Sequence, residues 1–518
     1  MAGDAAPPSE REQRLTLLAM CFALFMIMLD NTIVNVALPT IQRDLGATPE
    51  GLEWVISGYV VSFASLIILG GKLGDRYGRR RIFLVGLGVF SLASAACALS
   101  ATQEQLVGFR VLQGVGAAML NPLSLSILVA TFPPRKLPAA IGVWAGISGL
   151  GLAVGPLLGG LLTEHFSWSA VFWVNVPIGA VAAWVALRVV RESSDPTSSS
   201  LDLPGALLIT GALFSLVWAL IETNTHAFGS AYTLSFLTLG IVMLGGFIAR
   251  ESTAADPMIP LGFFARRRFS APIAVMLLTG FVLFGTVYYM TLYFQNVKGL
   301  GALDAGLRTL PLTLMILVVA PTVGRINQRV GPRWVVTLGM TLVAGGMLGL
   351  TQLDVGSGYG AVWPFFVLVG TGIAMIMPTL SAAAMGAVEA AKSGVASGVL
   401  NTARQIGGAL GIAVLGAVAA PRITDSWLGA AAQLPAPVAA RADGLTELVI
   451  GGQGRVVGRI GGMGAQDAAL EAFMSGMHAA LYTTFGLAVA ATLLAATGLS
   501  GGRSAEAVPS GHAVAAGG

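Results

Sequence analysis

Long apolar runs recur fourteen times along the chain, at about 15–39, 52–71, 82–100, 105–130, 139–162, 169–190, 204–221, 232–249, 271–294, 303–324, 334–352, 361–386, 396–420 and 477–500. A helix needs about 20 predominantly apolar residues to cross a hydrocarbon core, so the pattern predicts an all-α membrane protein with fourteen transmembrane helices. The first run exceeds the roughly 7–15 apolar residues of a signal peptide and is followed by thirteen others, so it is expected to stay in the mature chain. Residues 1–14 and 501–518 are polar or rich in small residues and are expected to be disordered ends.

Composition strengthens that reading. Of the 518 residues, 55% are hydrophobic and 10% charged, against roughly 25% charged in a soluble domain, and mean hydropathy is +0.79. The net charge of +4 would suit nucleic acid only if the basic residues formed a patch. Instead, alternate connections and the two terminal segments hold 20 of the 29 Lys and Arg, Arg79, Arg80, Arg81, Arg266, Arg267 and Arg268 among them. By the positive-inside rule those connections are cytoplasmic, and an even number of spans places both termini there. No basic patch remains for a nucleic-acid partner. Cys21 and Cys97 both fall in spans, which excludes a disulfide framework and a metal-ligand cluster. The scarcity of Lys beside abundant Ala and Gly points to a GC-rich bacterium, so the expected location is its cytoplasmic (inner) membrane.

Three charges, Asp30, Arg110 and Arg404, interrupt the apolar pattern at depth. Asp30 lies inside the first run, where an acid costs roughly 2.5–3.5 kcal/mol on insertion scales and therefore marks ion or proton work. At 100° per residue Asp30, Asn31, Val34, Asn35 and Leu38 fall on one arc of about 140°, the side suited to an aqueous interior. The opposite face, with Phe22, Phe25, Ile33 and Val36, suits lipid. In the fourth run Arg110 and Gln113 share a helix face, and rises of about 1.5 Å per residue set Asp30 and Arg110 at similar depth. They are the proton-coupling candidates, flanked by Asn31, Asn35 and Gln113 as cavity candidates; a purely structural ion pair is the competing reading.

A repeat organises the rest. A shift of 253 lays Gly71, Lys72, Arg76, Gly78 and Arg80 on Gly324, Arg325, Arg329, Gly331 and Arg333, and a shift of 256 lays Gly142, Gly151, Gly155 and Gly160 on Gly398, Gly407, Gly411 and Gly416. Two parallel halves produce such offsets. The expected division is a six-helix bundle over 15–191, a linker with two inserted helices over 192–270, and a second six-helix bundle over 271–500 that carries an external loop, 421–476. The fifth run sets Gly142/Gly146 and Gly151/Gly155/Gly159 at four-residue spacing with Pro156 behind Gly155; such ladders allow close approach, and Gly-Pro adds a bend point. In the second half Tyr288, Tyr289, Met375 and Met377 would make an adaptable apolar lining, with Asn401 and Gln405 as its polar positions. The Asn175–Pro177 stretch suits a local helix break.

These motifs resemble the Major Facilitator Superfamily, and within it the drug:proton antiporters with fourteen spans. GGKLGDRYGRR is similar to the family's loop between helices 2 and 3 through Gly71, Asp75, Arg76, Gly78 and Arg79; LDNTIVNVALPTI to its first-helix motif through Asp30; FRVLQGVGAA to its helix 4 motif through Arg110; and GLAVGPLLGG to its helix 5 antiporter motif. The second loop copy departs from the pattern, with Gln328 at the acidic position, so a charge lock there would rest on Asp75 alone. The resemblance implies export of hydrophobic, often cationic or aromatic, drugs in exchange for protons, with Gly71, Asp75, Arg76, Gly78, Arg79, Gly151, Gly155, Pro156 and Gly159 in the conformational machinery. It implies no cofactor beyond the proton gradient, no enzyme activity, and no partners but a small hydrophobic substrate, protons and lipid around a monomer. A symporter or metabolite exporter on the same fold is the alternative.

Overall fold

The computed structural model describes residues 8–47, 49–194, 202–221, 229–254, 257, 259–389 and 392–499, and among them every regular element is helical. The long helices are α1 (Glu10–Leu45), α2 (Pro49–Tyr77), α3 (Arg79–Ala98), α4 (Gln103–Thr131), α5 (Leu137–His165), α6 (Asn175–Val189), α7 (Leu203–Ile221), α8 (Ala231–Thr253), α9 (Arg267–Leu292), α10 (Ala302–Val330), α11 (Pro332–Leu350), α12 (Trp363–Gly386), α13 (Ser393–Ala431) and α14 (Met463–Gly498). Thirteen described stretches are long and apolar enough to cross a membrane, and α5 contributes a further apolar one over Leu137–Gly151.

Local chemistry sets the ends. Ser9 and Glu12 form a capping box, each satisfying the other's backbone N–H, which starts α1 at Glu10. Residues 10–14 are therefore helical instead of disordered, a correction to the sequence reading; residues 501–518 lie outside the described set. Gly46 ends α1 at φ 61°. Gly78 and Gly331, at φ 108° and 86°, make the turns into α3 and α11, so the two loop copies share one backbone device that a side chain would strain.

The stretch 421–476 departs most from expectation. The helix α13 runs on to Ala431, short helices follow at Ala436–Ala439, Ala442–Ile450 and Gly454–Gly461, and α14 begins at Met463. This is a helical cap and not a loop. It is held by apolar burial, with Trp427 fully enclosed and its Nε1 donating to Ala442 O at 2.9 Å. It docks on the π-helical turn Tyr293–Val297 that follows α9, through Asn296, whose amide donates to Gly451 O at 2.6 Å.

Packing follows the small residues. The helix α5 carries two glycine faces. Gly142, Gly146 and Gly149 lie against Ala320, Leu317 and Ile316 of α10, whereas Gly151, Gly155 and Gly159 lie against Phe25 to Val36 of α1. The α1 face expected to meet lipid is thus this seam: Ile33 is fully buried, because a glycine ladder lets two backbones meet where lipid would otherwise sit. Side-chain placement at Pro156 falls outside the described set.

Contacts repeat with the spacing of the sequence repeat. Gly71 of α2 abuts Gly394 at the start of α13, and Gly324 of α10 abuts Pro138 and Ala139 at the start of α5; likewise Gly142 abuts Ala320, and Gly398 abuts Ile67 and Ile68. These crossings close the arginine-rich end. The helix α7 packs on α2 and α13 and carries α8 on its other side, with Trp54 and Trp218 rings 4.4 Å apart.

Candidate functional site

The deepest polar cluster centres on Asp30 of α1, which has no exposed surface. Its Oδ2 accepts from Arg110 Nη1 at 2.5 Å, and its Oδ1 accepts from Gln113 Nε2 at 2.8 Å and from Asn175 Nδ2 at 3.1 Å. Arg110 Nε donates to Val55 O at 2.9 Å, Nη1 donates also to Gln113 Oε1, and the guanidinium lies 4.3 Å from the centre of the Tyr59 ring. Ser94 Oγ accepts from both Gln113 and Asn175 and donates to Phe172 O. Such saturation is what a buried ion pair needs if attraction is to offset desolvation.

Sequence reading located three of these groups and missed the rest. Asp30, Arg110 and Gln113 meet as the depth argument required. Asn175 sits where the chain breaks between Ala170–Trp173 and α6, the expected break, yet its amide works on Asp30. An Asn inside an apolar run was the available signal. Tyr59 and Ser94 carried none, because single Tyr and Ser residues are ordinary in spans.

The helical arc is divided. Asp30 and Val34 are buried within the first six helices, whereas Asn31 is half-buried and bonded to Ile27 O, and Asn35 is exposed. Tyr289 is buried with its hydroxyl on Leu415 O, Tyr288 is 38% exposed, and Gln405 is half-buried. Neither tyrosine nor Gln405 lines the central cavity, a narrow space of about 20 Å³ between α1, α5, α9, α12 and α13. Its wall includes Leu24, Trp144, Ser148, Met276, Met377, Asn401 and Arg404.

A second cluster sits at the arginine-rich end. Asp75, 2% exposed, accepts from Arg79 Nε at 2.9 Å and from the backbone N–H groups of Gly394 and Val395 at 3.2 and 3.1 Å. It bonds the unsatisfied N–H groups that begin α13, where the helix dipole favours an anion. Arg76 stacks over Tyr77 and takes no part in this contact. At the repeat-related crossing Gln328 donates to Arg135 O at 2.7 Å, so a neutral bond replaces the charged one. Glu192, which the sequence reading placed in a linker, accepts from the N–H groups of Arg80 and Arg81 and so caps α3.

The family model described as Major Facilitator Superfamily matches residues 20–412. The chain belongs to this superfamily. It is 41% identical over 79% of its length, and 76% of the relative's, to the tetracenomycin C resistance and export protein of Streptomyces glaucescens. It is 37% identical over 81% of its length, and 77% of the relative's, to the multidrug resistance protein Stp of Mycobacterium tuberculosis. Among solved structures it is similar to the human organic anion transporter MFSD10, with a TM-score of 0.60 at 15% identity, covering 95% of this chain and 100% of that one; this last likeness concerns the fold alone. A superfamily member with this many apolar helices is a multi-pass membrane transporter, and its relatives place it in a bacterial cell membrane.

Proposed function

We propose that this chain exports drug-like hydrophobic compounds across the cytoplasmic membrane in exchange for protons. The supporting observation is Asp30, a carboxylate with no exposed surface held by three donors from two helices. Protonation turns an oxygen of that carboxylate from acceptor to donor, which removes its charge attraction for Arg110 and frees α4 from α1. The Oδ1 atom of Asn175 is buried and without a partner; a rotation of the amide presents it to the new proton. Asn175 is then the group that accepts from the protonated acid.

In this reading the arginine-rich end and both termini are cytoplasmic, and helices α1–α6 and α9–α14 rock as two bundles with α7 and α8 as an insert. The Asp75 contact holds the cytoplasmic side shut until the acid reloads. The transporter works as a monomer, carries out no catalysis and needs no cofactor. One proton entering down a gradient of 100 mV releases about 2.3 kcal/mol, enough for roughly fortyfold accumulation of a neutral compound.

Cells making the chain, loaded with tetracenomycin C and then treated with an uncoupler, separate this reading from a symporter on the same fold. An antiporter's cells gain compound when the gradient collapses. A symporter's cells lose it, and that loss would overturn the proposal.

A further inference from the structure

The central cavity contains a cation that the Asp30 scheme does not use. Arg404 lies eleven residues after Ser393 on α13, about 16 Å along the helix, hence near the middle of a core about 30 Å thick. Its Nη2 donates only a long bond to Asn401 Oδ1 at 3.4 Å, and its Nε is buried without a partner. Among the described residues no carboxylate pairs with it. Asp30 is saturated by Arg110, Gln113 and Asn175, and Asp75 by Arg79 and the start of α13. Among the described residues no acid lines the cavity. A guanidinium stays charged at any accessible pH and presents a planar fork that matches a carboxylate.

The rest of the wall is apolar and adaptable. Trp144, Met276 and Met377 face the space, and Ser148 and Asn401 add two polar positions. The Trp144 Nε1 is already engaged by Ser124 Oγ at 3.1 Å, so that ring offers a surface and no free donor. Flexible thioethers accommodate flat rings of varied outline, while a half-buried guanidinium without a counter-ion selects for charge.

We propose that Arg404 is a substrate-binding residue and that the cavity, once widened by the parting of the two bundles, takes aromatic acids, compounds with a flat apolar body and one carboxylate, enolate or phenolate that completes the guanidinium's bonding. This deepens the export reading and rests on it for physiological meaning, but binding itself needs no gradient. It also replaces the cationic preference that family resemblance suggested.

The test is equilibrium binding to the full chain in lipid nanodiscs, with no pH gradient, read by quenching of tryptophan fluorescence. The probes are matched pairs: 1-naphthoic acid with its methyl ester, and anthracene-9-carboxylic acid with its methyl ester. The acids should bind about tenfold or more tightly than their esters, as expected for a charge-assisted contact. Arg404→Gln should erase that difference while leaving ester binding unchanged, and Arg404→Lys should restore part of it. Unchanged ester binding shows that the variant is folded, and a structural arginine would lower acid and ester affinity together. Equal affinity of acid and ester for the parent chain, or no saturable binding of either acid, would overturn the proposal. If acid selectivity depends on Arg404 and yet the uncoupler test fails, the site stands and the proton-coupled reading falls.

Discussion

Asp30 draws its importance from its neighbours. An exposed aspartate would be solvated in either protonation state, whereas in the proposed scheme this one gives up an accepted bond and donates one to Asn175 Oδ1 when it gains a proton. Two predictions follow from the atoms involved. Arg110→Gln leaves Asp30 buried without its counter-charge, which should cost about 3–5 kcal/mol and appear as a lower thermal midpoint of the detergent-solubilised chain. Asn175→Leu removes one of two donors to Oδ1 together with the unpartnered acceptor. It should cost about 1–3 kcal/mol and shift proton-driven efflux toward lower external pH, because the neutral acid loses its acceptor and binds its proton less readily; a pH profile of efflux in membrane vesicles would reveal it. The sign follows from preferential loss of the protonated state, so full activity at the original optimum would refute the role.

Among the elements, α5 joins two partners on two glycine faces, with α10 on one and α1 on the other. At Gly155 an added Cβ would approach Thr32 Cβ at 2.8 Å and Ile33 N at 3.2 Å, so Gly155→Val should push α1 and α5 apart at about 1–3 kcal/mol and abolish drug resistance in cells that still contain the protein. The contact of Asp75 with the start of α13 is charge-assisted, and Asp75→Asn should weaken it by about 1.5–3 kcal/mol, a roughly tenfold or larger shift toward conformers open at the arginine-rich end. A single cysteine at Ser381 on the cavity wall, in a chain with Cys21 and Cys97 changed to Ala, should then react faster with a maleimide added from the arginine-rich side. The insert offers a milder case. Burial would raise the Asp202 carboxyl, but the Gly205 N–H and Arg250 hold it below the usual carboxylate range. This latch is present at neutral pH and is lost only as pH falls below the ordinary carboxylate value, and with Arg250 half-exposed it contributes less than about 1 kcal/mol.

Seen whole, the molecule was most legible where one physical rule dominates. Fourteen apolar runs mark the long helices because backbone groups in hydrocarbon must bond within a helix, and Asp30 and Arg110 were visible because charge there is costly. What could not be read depended on three-dimensional neighbours. Periodicity showed that α1 has a polar and an apolar face, but not that the apolar face would meet a glycine ladder instead of lipid. The Ala- and Gly-rich stretch 421–476 gave little periodic signal, and its helices rest on Trp427 and on contacts with the π-helical turn after α9. Asn175 and Arg404 were noticed as polar positions, while their roles required knowing which other groups lacked partners.

The central claim is that Asp30 couples proton entry to export, and reconstituted vesicles test it most directly. The parent chain should concentrate a drug-like compound that its cells export against that compound's gradient when a pH difference is imposed. Asp30→Asn should exchange labelled for unlabelled compound across the membrane, yet fail to concentrate it under the same pH difference. Accumulation by Asp30→Asn equal to that of the parent would contradict the account.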